Sequence, residues 1–64
     1  MNDGKRLMEI RKAHGLTQDA LAQLVGVSRP MITQIERGTK ILTVPLAREI
    51  AQAMDISVIE LIGA

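Results

Sequence analysis

The stretch GLTQDALAQLVGVSRPMITQIERG, residues 15–38, decides the fold of this chain. Glycines stand at its two ends and at position 26, and apolar residues recur between them at helical spacing. The inward positions of that spacing are Leu21, Ala22, Val25, Ile32 and Ile35. Only Gly26, Val27 and Ser28 separate the two apolar sets. The pattern therefore predicts two short helices joined by a tight turn, over about residues 17–37.

Both predicted helices begin at a residue whose side chain can cap a helix. Thr17 suits the earlier one, because its hydroxyl accepts a hydrogen bond from a first-turn amide. The later helix has two candidate starts. If Ser28 is the cap, its hydroxyl must accept from the amide of Met31, since Pro30 has no N–H. If Arg29 is the cap, Pro30 is the first helical residue, and the Arg29 side chain points in a different direction.

A further helix is predicted before this stretch, roughly over residues 5–14. Asn2 or Asp3 is its expected cap, and Leu7 and Ile10 stand at the inward i, i+3 spacing. Gly15 suits the left-handed conformation that commonly ends a helix.

Two more helices are predicted after the stretch. The fourth opens at Thr43 or Val44 with Pro45 in its first turn, and the fifth opens with a capping box formed by Ser57 and Glu60. Their inward positions are Leu46, Ile50, Ala51, Met54, Leu61 and Ile62. No segment alternates with period two over a length that would predict a strand. We expect an all-α, compact bundle of five short helices, a single domain over residues 1–64.

Composition excludes several kinds of site. The 64 residues include no Cys and no aromatic residue, and His14 is the one histidine. Disulfides, thiolate metal sites and aromatic base-stacking platforms are therefore excluded, and we expect no metal and no cofactor. No glycine-rich phosphate loop or nucleophile elbow is present, so an enzyme is not expected. Residues 1–40 carry seven Lys/Arg against four Asp/Glu, whereas residues 41–64 carry one against three, which is compatible with a nucleic-acid face in the earlier part.

Apolar runs of only a few residues predict no membrane partner, and the N-terminus lacks the layout of a signal peptide. We expect a soluble intracellular protein that takes no small-molecule substrate.

Residues 15–38 resemble the helix-turn-helix of the lambdoid phage repressor and Cro proteins, the XRE-like family. Gln18 follows the capping Thr17, Ala22 stands where the two helices touch, and Gly26 makes the turn. The similarity continues through residues 43–46, 50–51 and 57–61, so it covers nearly the whole chain.

The resemblance implies a transcriptional regulator that binds double-stranded DNA sequence-specifically. It further implies a repressor that binds a palindromic operator as a homodimer, encoded by a bacterium or phage and located in the cytoplasm with the nucleoid. The alternative is a protein-interaction module, or an antitoxin-type regulator, on the same fold.

The resemblance places the start of the third helix against base edges. The implied base-contacting residues are Ser28, Arg29, Pro30, Met31 and Gln34, with Thr33 a weaker candidate. Arg29 can donate two hydrogen bonds to guanine, and Gln34 can make a two-point contact with adenine. The alternatives are a phosphate contact for Arg29 and packing at the helix edge for Met31.

The resemblance also implies phosphate contacts on either side of that helix. The residues concerned are Thr17, Gln18, Arg37, Thr39 and Lys40, and the alternative for the last three is a solvated turn.

Two further roles follow from the resemblance. Arg11 and Glu36 are expected to form an internal ion pair. Val58, Ile59, Ile62 and the loop 39–44 are a possible dimer surface, although these apolar residues can equally complete the core.

Overall fold

A computed structural model describes residues 3–62, and these form five α-helices. Their bounds are α1 Asp3–Ala13, α2 Gln18–Val25, α3 Arg29–Arg37, α4 Val44–Ala53 and α5 Val58–Ile62. Helix α3 packs against both α1 and α2, while α4 packs on α2 and α5, and α5 closes against α1. The described residues contain no strand, and the all-α, five-helix prediction is confirmed.

The start of α1 differs from the prediction. The helix begins at Asp3, so Asp3 lies in the first turn, where its carboxylate complements the positive end of the helix dipole, and it is not the cap. The other expected cap, Asn2, lies outside the described residues. The helix ends at Ala13, one residue before the predicted end, and Gly15 follows with a φ of 70°.

The cap of α2 is the predicted one. The Thr17 hydroxyl accepts from the Ala20 amide at 3.0 Å, and Gly26 ends the helix in the left-handed region with a φ of 73°. The turn that follows is tight, because the Val27 amide donates back to the Ala22 carbonyl at 3.0 Å.

The structure also decides between the two candidate starts of α3. Ser28 is the cap, with its hydroxyl accepting from the Met31 amide at 3.2 Å. Arg29 is therefore the first helical residue and Pro30 the second, where a missing N–H costs no intrahelical bond.

The core is built from aliphatic side chains of all five helices and of the loop before α4. Its fully or nearly fully buried members are Leu7, Leu21, Ala22, Ile32, Ile35, Leu42, Ala47, Ile50, Ala51, Met54 and Leu61. Ile10, Val25, Leu46 and Ile62, predicted to face inward, are half-buried against it. In α4 the buried face runs through residues 47, 50, 51 and 54, so Ala47 takes the inward place predicted for Leu46.

Gly4 is a core position that the sequence pattern did not indicate. It is buried in α1, and a Cβ added there would overlap the carbonyl oxygen of Ile35 near the end of α3. The absence of a side chain at this residue lets the two helices approach backbone to backbone.

The capping box at α5 is present with one difference. The Glu60 carboxylate accepts from the Ser57 amide at 3.2 Å, as predicted, but the Ser57 hydroxyl accepts from the Ile59 amide at 3.3 Å. The Arg6 guanidinium donates to the Glu60 carbonyl at 2.5 Å, which ties α1 to α5.

Candidate nucleic-acid interface

Helix α3 has a buried face and a solvent face. Ile32 and Ile35 anchor it in the core. Of the residues predicted to contact bases, Ser28, Arg29, Pro30 and Gln34 are exposed, whereas Met31 is half-buried. One shallow depression on the solvent face is lined by Arg29, Pro30, Thr33, Gln34 and Arg37. The structure thus brings most of the predicted base-contacting residues together on one surface.

The side chains on this surface differ in what they can offer to a ligand. The Gln34 side-chain amide has no hydrogen-bond partner among residues 3–62, so both its donors and its acceptor are available. Pro30 offers an exposed apolar ring. Met31 packs against the core from the helix edge, which favours the packing alternative for part of its side chain.

The start of α2 borders the start of α3. A second depression is lined by Arg11, Thr17, Gln18, Asp19 and Arg29. The Thr17 hydroxyl accepts from the Ala20 amide and retains its own proton for donation. The first two amides of α2, at residues 18 and 19, have no intrahelical acceptor, as expected at a helix N-terminus.

The loop after α3 is held firmly against the end of that helix. The Gln34 carbonyl accepts from the amides of Thr39 and Lys40 at 3.0 and 3.2 Å, and from the Thr39 hydroxyl at 3.1 Å. The hydroxyl proton of Thr39 is therefore already donated, and a phosphate oxygen can only accept. In this conformation the side-chain donors available to an anion here are those of Arg37, the last residue of α3, and Lys40 in the loop, and both are exposed.

Arg11 and Glu36 form the predicted ion pair. Arg11 Nε donates to Glu36 Oε2 at 2.7 Å and Nη2 donates to Oε1 at 3.1 Å, while the two side chains are only 8% and 3% exposed. A third guanidinium nitrogen donates to the Leu16 carbonyl at 2.7 Å. The pair thus joins α1, the loop after it and α3.

One further partner of this ion pair, and the residue that bonds that partner in turn, were not predicted. Gln18 Nε2 donates to Glu36 Oε1 at 3.0 Å, and the Thr33 hydroxyl donates to Gln18 Oε1 at 2.8 Å. The spacing of Thr33 and Glu36, three residues apart on one helix, indicates that both can face the same neighbour. Only the packing of α2 shows that this neighbour is Gln18.

The residues predicted as a dimer surface divide into two groups. Val58 and Ile62 are half-buried and pack against the core, whereas Ile59 is 57% exposed. In and after the neighbouring loop, Ile41 is 82% exposed and Val44 is 49% exposed. Of the large apolar side chains in these predicted segments, Ile41, Val44 and Ile59 therefore face solvent.

Other kinds of site find no support in the part of the chain that the structure describes. Residues 3–62 contain no group of three or more His, Asp or Glu side chains placed to hold a metal ion. Among the described helices, none is long and apolar enough to cross a membrane.

Comparison with known proteins agrees with this geometry. The helix-turn-helix family model HTH_3 matches residues 7–61. The restriction-modification controller protein C.AhdI from Aeromonas hydrophila superposes with a TM-score of 0.88 at 39% identity, over 92% of this chain and 86% of that one. The chain is 33% identical over 58 residues to the HTH-type transcriptional regulator YazB of Bacillus subtilis, covering 91% of this chain and 84% of YazB.

A further relative is much longer. The antitoxin PezA of Streptococcus pneumoniae is 35% identical over 60 residues, which are 94% of this chain but 38% of the antitoxin. The matched residues include α2, α3, α4 and most of α1 and α5, and with them the ion pair, the caps of α2 and α3 and the exposed face of α3. The chain belongs to the HTH_3 helix-turn-helix family, with the lambda repressor- and Cro-like fold that its sequence resembles.

Proposed function

We propose that this protein is a transcriptional regulator that binds double-stranded DNA by placing α3 in the major groove. The observation that carries the proposal is the division of α3 into two faces. Ile32, Ile35 and the buried Glu36 fix its orientation, while Gln34 extends from the opposite face into solvent and Arg29 is exposed at the start of the helix. A helix held in this way can enter a groove without rearrangement. The similarity to C.AhdI and YazB supports the same function.

Base recognition is assigned to the solvent face of α3. Gln34 makes a two-point contact with adenine, because its amide has an unpaired donor and acceptor. Arg29 contacts guanine or a neighbouring phosphate from the first turn, next to the cap Ser28. Pro30 and the exposed part of Met31 provide apolar surface to a thymine methyl group.

Phosphate contacts are assigned to the two ends of the helix pair. At the start of α2, Thr17 and Gln18 donate to a phosphate near the positive end of the helix dipole. At the end of α3 and in the loop after it, Arg37 and Lys40 supply positive charge, and Thr39 orders that loop.

We further propose a homodimer on a palindromic operator, acting as a repressor. The exposed side chains Ile41, Val44 and Ile59 provide the shared surface. Half-sites one helical turn apart, roughly 34 Å, match two molecules of this size placed side by side, since the longest dimension of one is 27 Å. A regulator of this kind acts in the cytoplasm of a bacterium, where the nucleoid lies.

The experiment is a duplex titration at several salt concentrations, preceded by enrichment of bound sequences from a random duplex pool. We expect the affinity to fall steeply with salt and one sequence to be preferred over random duplex. The enriched sequence also gives the half-site and its spacing. Binding that lacks both salt dependence and sequence preference contradicts the DNA-binding proposal.

The second candidate is an antitoxin-type regulator, supported by the 35% identity to PezA. Such a protein has a protein partner in addition to its DNA-binding surface. Co-purification with a protein that leaves the salt-dependent DNA binding intact favours this candidate, whereas a partner without any DNA binding favours a pure interaction module.

A further inference from the structure

The Gln18 side chain joins α2 to α3 through hydrogen bonds that its proposed phosphate contact does not by itself require. Its Nε2 donates to Glu36 Oε1 at 3.0 Å, and its Oε1 accepts from the Thr33 hydroxyl at 2.8 Å. The residue is half-buried at the first position of α2. One side-chain amide is therefore held at both of its polar atoms by α3.

The ion pair determines which way round this amide lies. Glu36 is paired with the guanidinium of Arg11, so its carboxylate is ionised and can only accept hydrogen bonds. The opposite orientation of Gln18 would set its carbonyl oxygen against the Glu36 oxygen, acceptor against acceptor. The amide nitrogen therefore faces Glu36, the carbonyl oxygen faces Thr33, and the Thr33 hydroxyl must donate.

This arrangement leaves one donor unused. A primary amide has two N–H groups, and only one is donated to Glu36; the other has no partner among residues 3–62. Thr33, in contrast, has a single hydroxyl proton, directed to Gln18 at 2.8 Å and to the Arg29 carbonyl at 3.2 Å. Thr33 thus has no free donor with which to read a base.

We infer that Thr33 is a positioning residue for phosphate binding, which holds the Gln18 amide so that its second N–H donates to a DNA phosphate. The inference rests on the proposed DNA-binding function and deepens it. Thr33 then contributes to affinity on every sequence equally, although it lies on the helix that reads bases.

The test compares Thr33→Val, which keeps the shape and removes the hydroxyl, with Thr33→Ser, which keeps the hydroxyl. Affinity is measured by fluorescence anisotropy for the enriched duplex and for a random-sequence duplex, each at several salt concentrations. We expect Thr33→Val to weaken both complexes by the same factor, about threefold to tenfold, as for one hydrogen bond. Thr33→Ser should stay within about twofold of the wild type.

The salt dependence of binding shows whether Thr33→Val removes a neutral hydrogen bond or a charged contact with the DNA. A neutral N–H donor releases no counterion, so the slope of log affinity against log salt should be unchanged in Thr33→Val. A loss confined to the enriched duplex would make Thr33 a base reader and overturn the inference. Equal affinities for Thr33→Val and the wild type would also overturn it.

A double-mutant cycle with Gln18→Ala tests whether Thr33 acts through Gln18. Gln18→Ala should weaken binding, and adding Thr33→Val to it should cause no further loss, because the group that Thr33 positions is gone. A full additional loss in the double variant would contradict the inference. The cycle also remains informative if Thr33→Val alone lowers the stability of the fold.

The geometry itself can be checked without DNA. The side-chain amide protons of Gln18 should be shifted in the nuclear magnetic resonance spectrum of Thr33→Val relative to the wild type, and restored in Thr33→Ser. Unchanged Gln18 signals in Thr33→Val would overturn the positioning role of Thr33 but would leave the DNA-binding proposal standing. Failure of the wild type to bind any duplex overturns the DNA-binding proposal.

Discussion

Glu36 shows that a residue on the helix assigned to DNA recognition can serve the fold. Its carboxylate accepts from Arg11 twice and from Gln18 once, and its side chain is 3% exposed. Both ionic partners are buried, so each depends on the other to offset the cost of removing its charge from water. The sequence resemblance predicted the pair, and the structure adds Gln18, which donates to Glu36, and Thr33, which donates to Gln18.

Removing one partner should therefore destabilise the protein strongly. We expect Glu36→Ala to lower the free energy of unfolding by about 3–5 kcal/mol, because it leaves the Arg11 guanidinium buried without a counter-charge. Urea denaturation followed by circular dichroism measures the change. The control is Glu9→Ala, an exposed position on α1 that should change stability by less than about 0.5 kcal/mol. Equal effects of the two substitutions would show that burial of the pair contributes little.

Gln34 and Lys40 should affect DNA binding in different ways. Gln34→Ala should cost roughly 1–3 kcal/mol of binding free energy on the preferred duplex and relax the preference at one base pair, because it removes a two-point contact. Lys40→Ala should weaken binding to all sequences alike and reduce the salt slope by about 1. Titrations with the enriched duplex and its single-base variants distinguish the two. If both losses are independent of sequence, the assignment of Gln34 is wrong.

At the scale of the helices, local sequence predicted the starts and stops well. Thr17, Ser28 and Thr43 each accept from an amide three residues ahead, and Gly26 and Gly38 adopt the left-handed conformation after their helices. These features depend on neighbours in the chain, so a sequence pattern carries them. The choice between Ser28 and Arg29 as cap was left open, because both starts are compatible with Pro30.

The close approach of the α1 backbone to the α3 backbone depends on Gly4 and was not predicted. Nothing in the neighbouring sequence shows that the backbone of a distant helix passes over this residue. Propensity alone would favour alanine at a helical position, by about 1 kcal/mol.

We expect Gly4→Ala to destabilise the protein by about 1–3 kcal/mol, although alanine has a higher helix propensity than glycine. The added methyl group overlaps the Ile35 carbonyl and forces α1 and α3 apart. Thermal unfolding measures the loss. Gly15→Ala is the comparison, because it has open space around it and only its φ of 70° opposes a side chain, so it should cost about 1 kcal/mol. A stabilised Gly4→Ala protein would contradict the close approach.

At the scale of the whole molecule, the proposed homodimer requires a surface through which two copies meet. The exposed apolar residues are not confined to one region, since Leu24 on α2 is 58% exposed and Ile59 on α5 is 57% exposed. Because Leu24 and Ile59 are exposed to nearly the same extent, they form a matched pair for testing the proposed dimer surface.

We expect Ile59→Lys to weaken self-association on a palindromic duplex, while Leu24→Lys does not. Both side chains are more than half exposed, so neither substitution should unfold the monomer. Sedimentation analysis with a two-site and a one-site duplex measures the effect: Ile59→Lys should lose cooperative binding to two sites and retain its affinity for one. Retained cooperative binding in Ile59→Lys would exclude Ile59 from the dimer surface.

The sequence by itself determined the five helices, most of their caps and the exposed face of α3, because periodicity and capping are local properties of the chain. Resemblance to a family added the Arg11–Glu36 pair. The tertiary structure decided the start of α3 at Ser28, the burial of Gly4 against Ile35, and the bonds that join Gln18 to Thr33 and Glu36. The last two are contacts between residues 15 or more positions apart. The packing angles of the helices determine which distant side chains meet, and no local pattern encodes those angles.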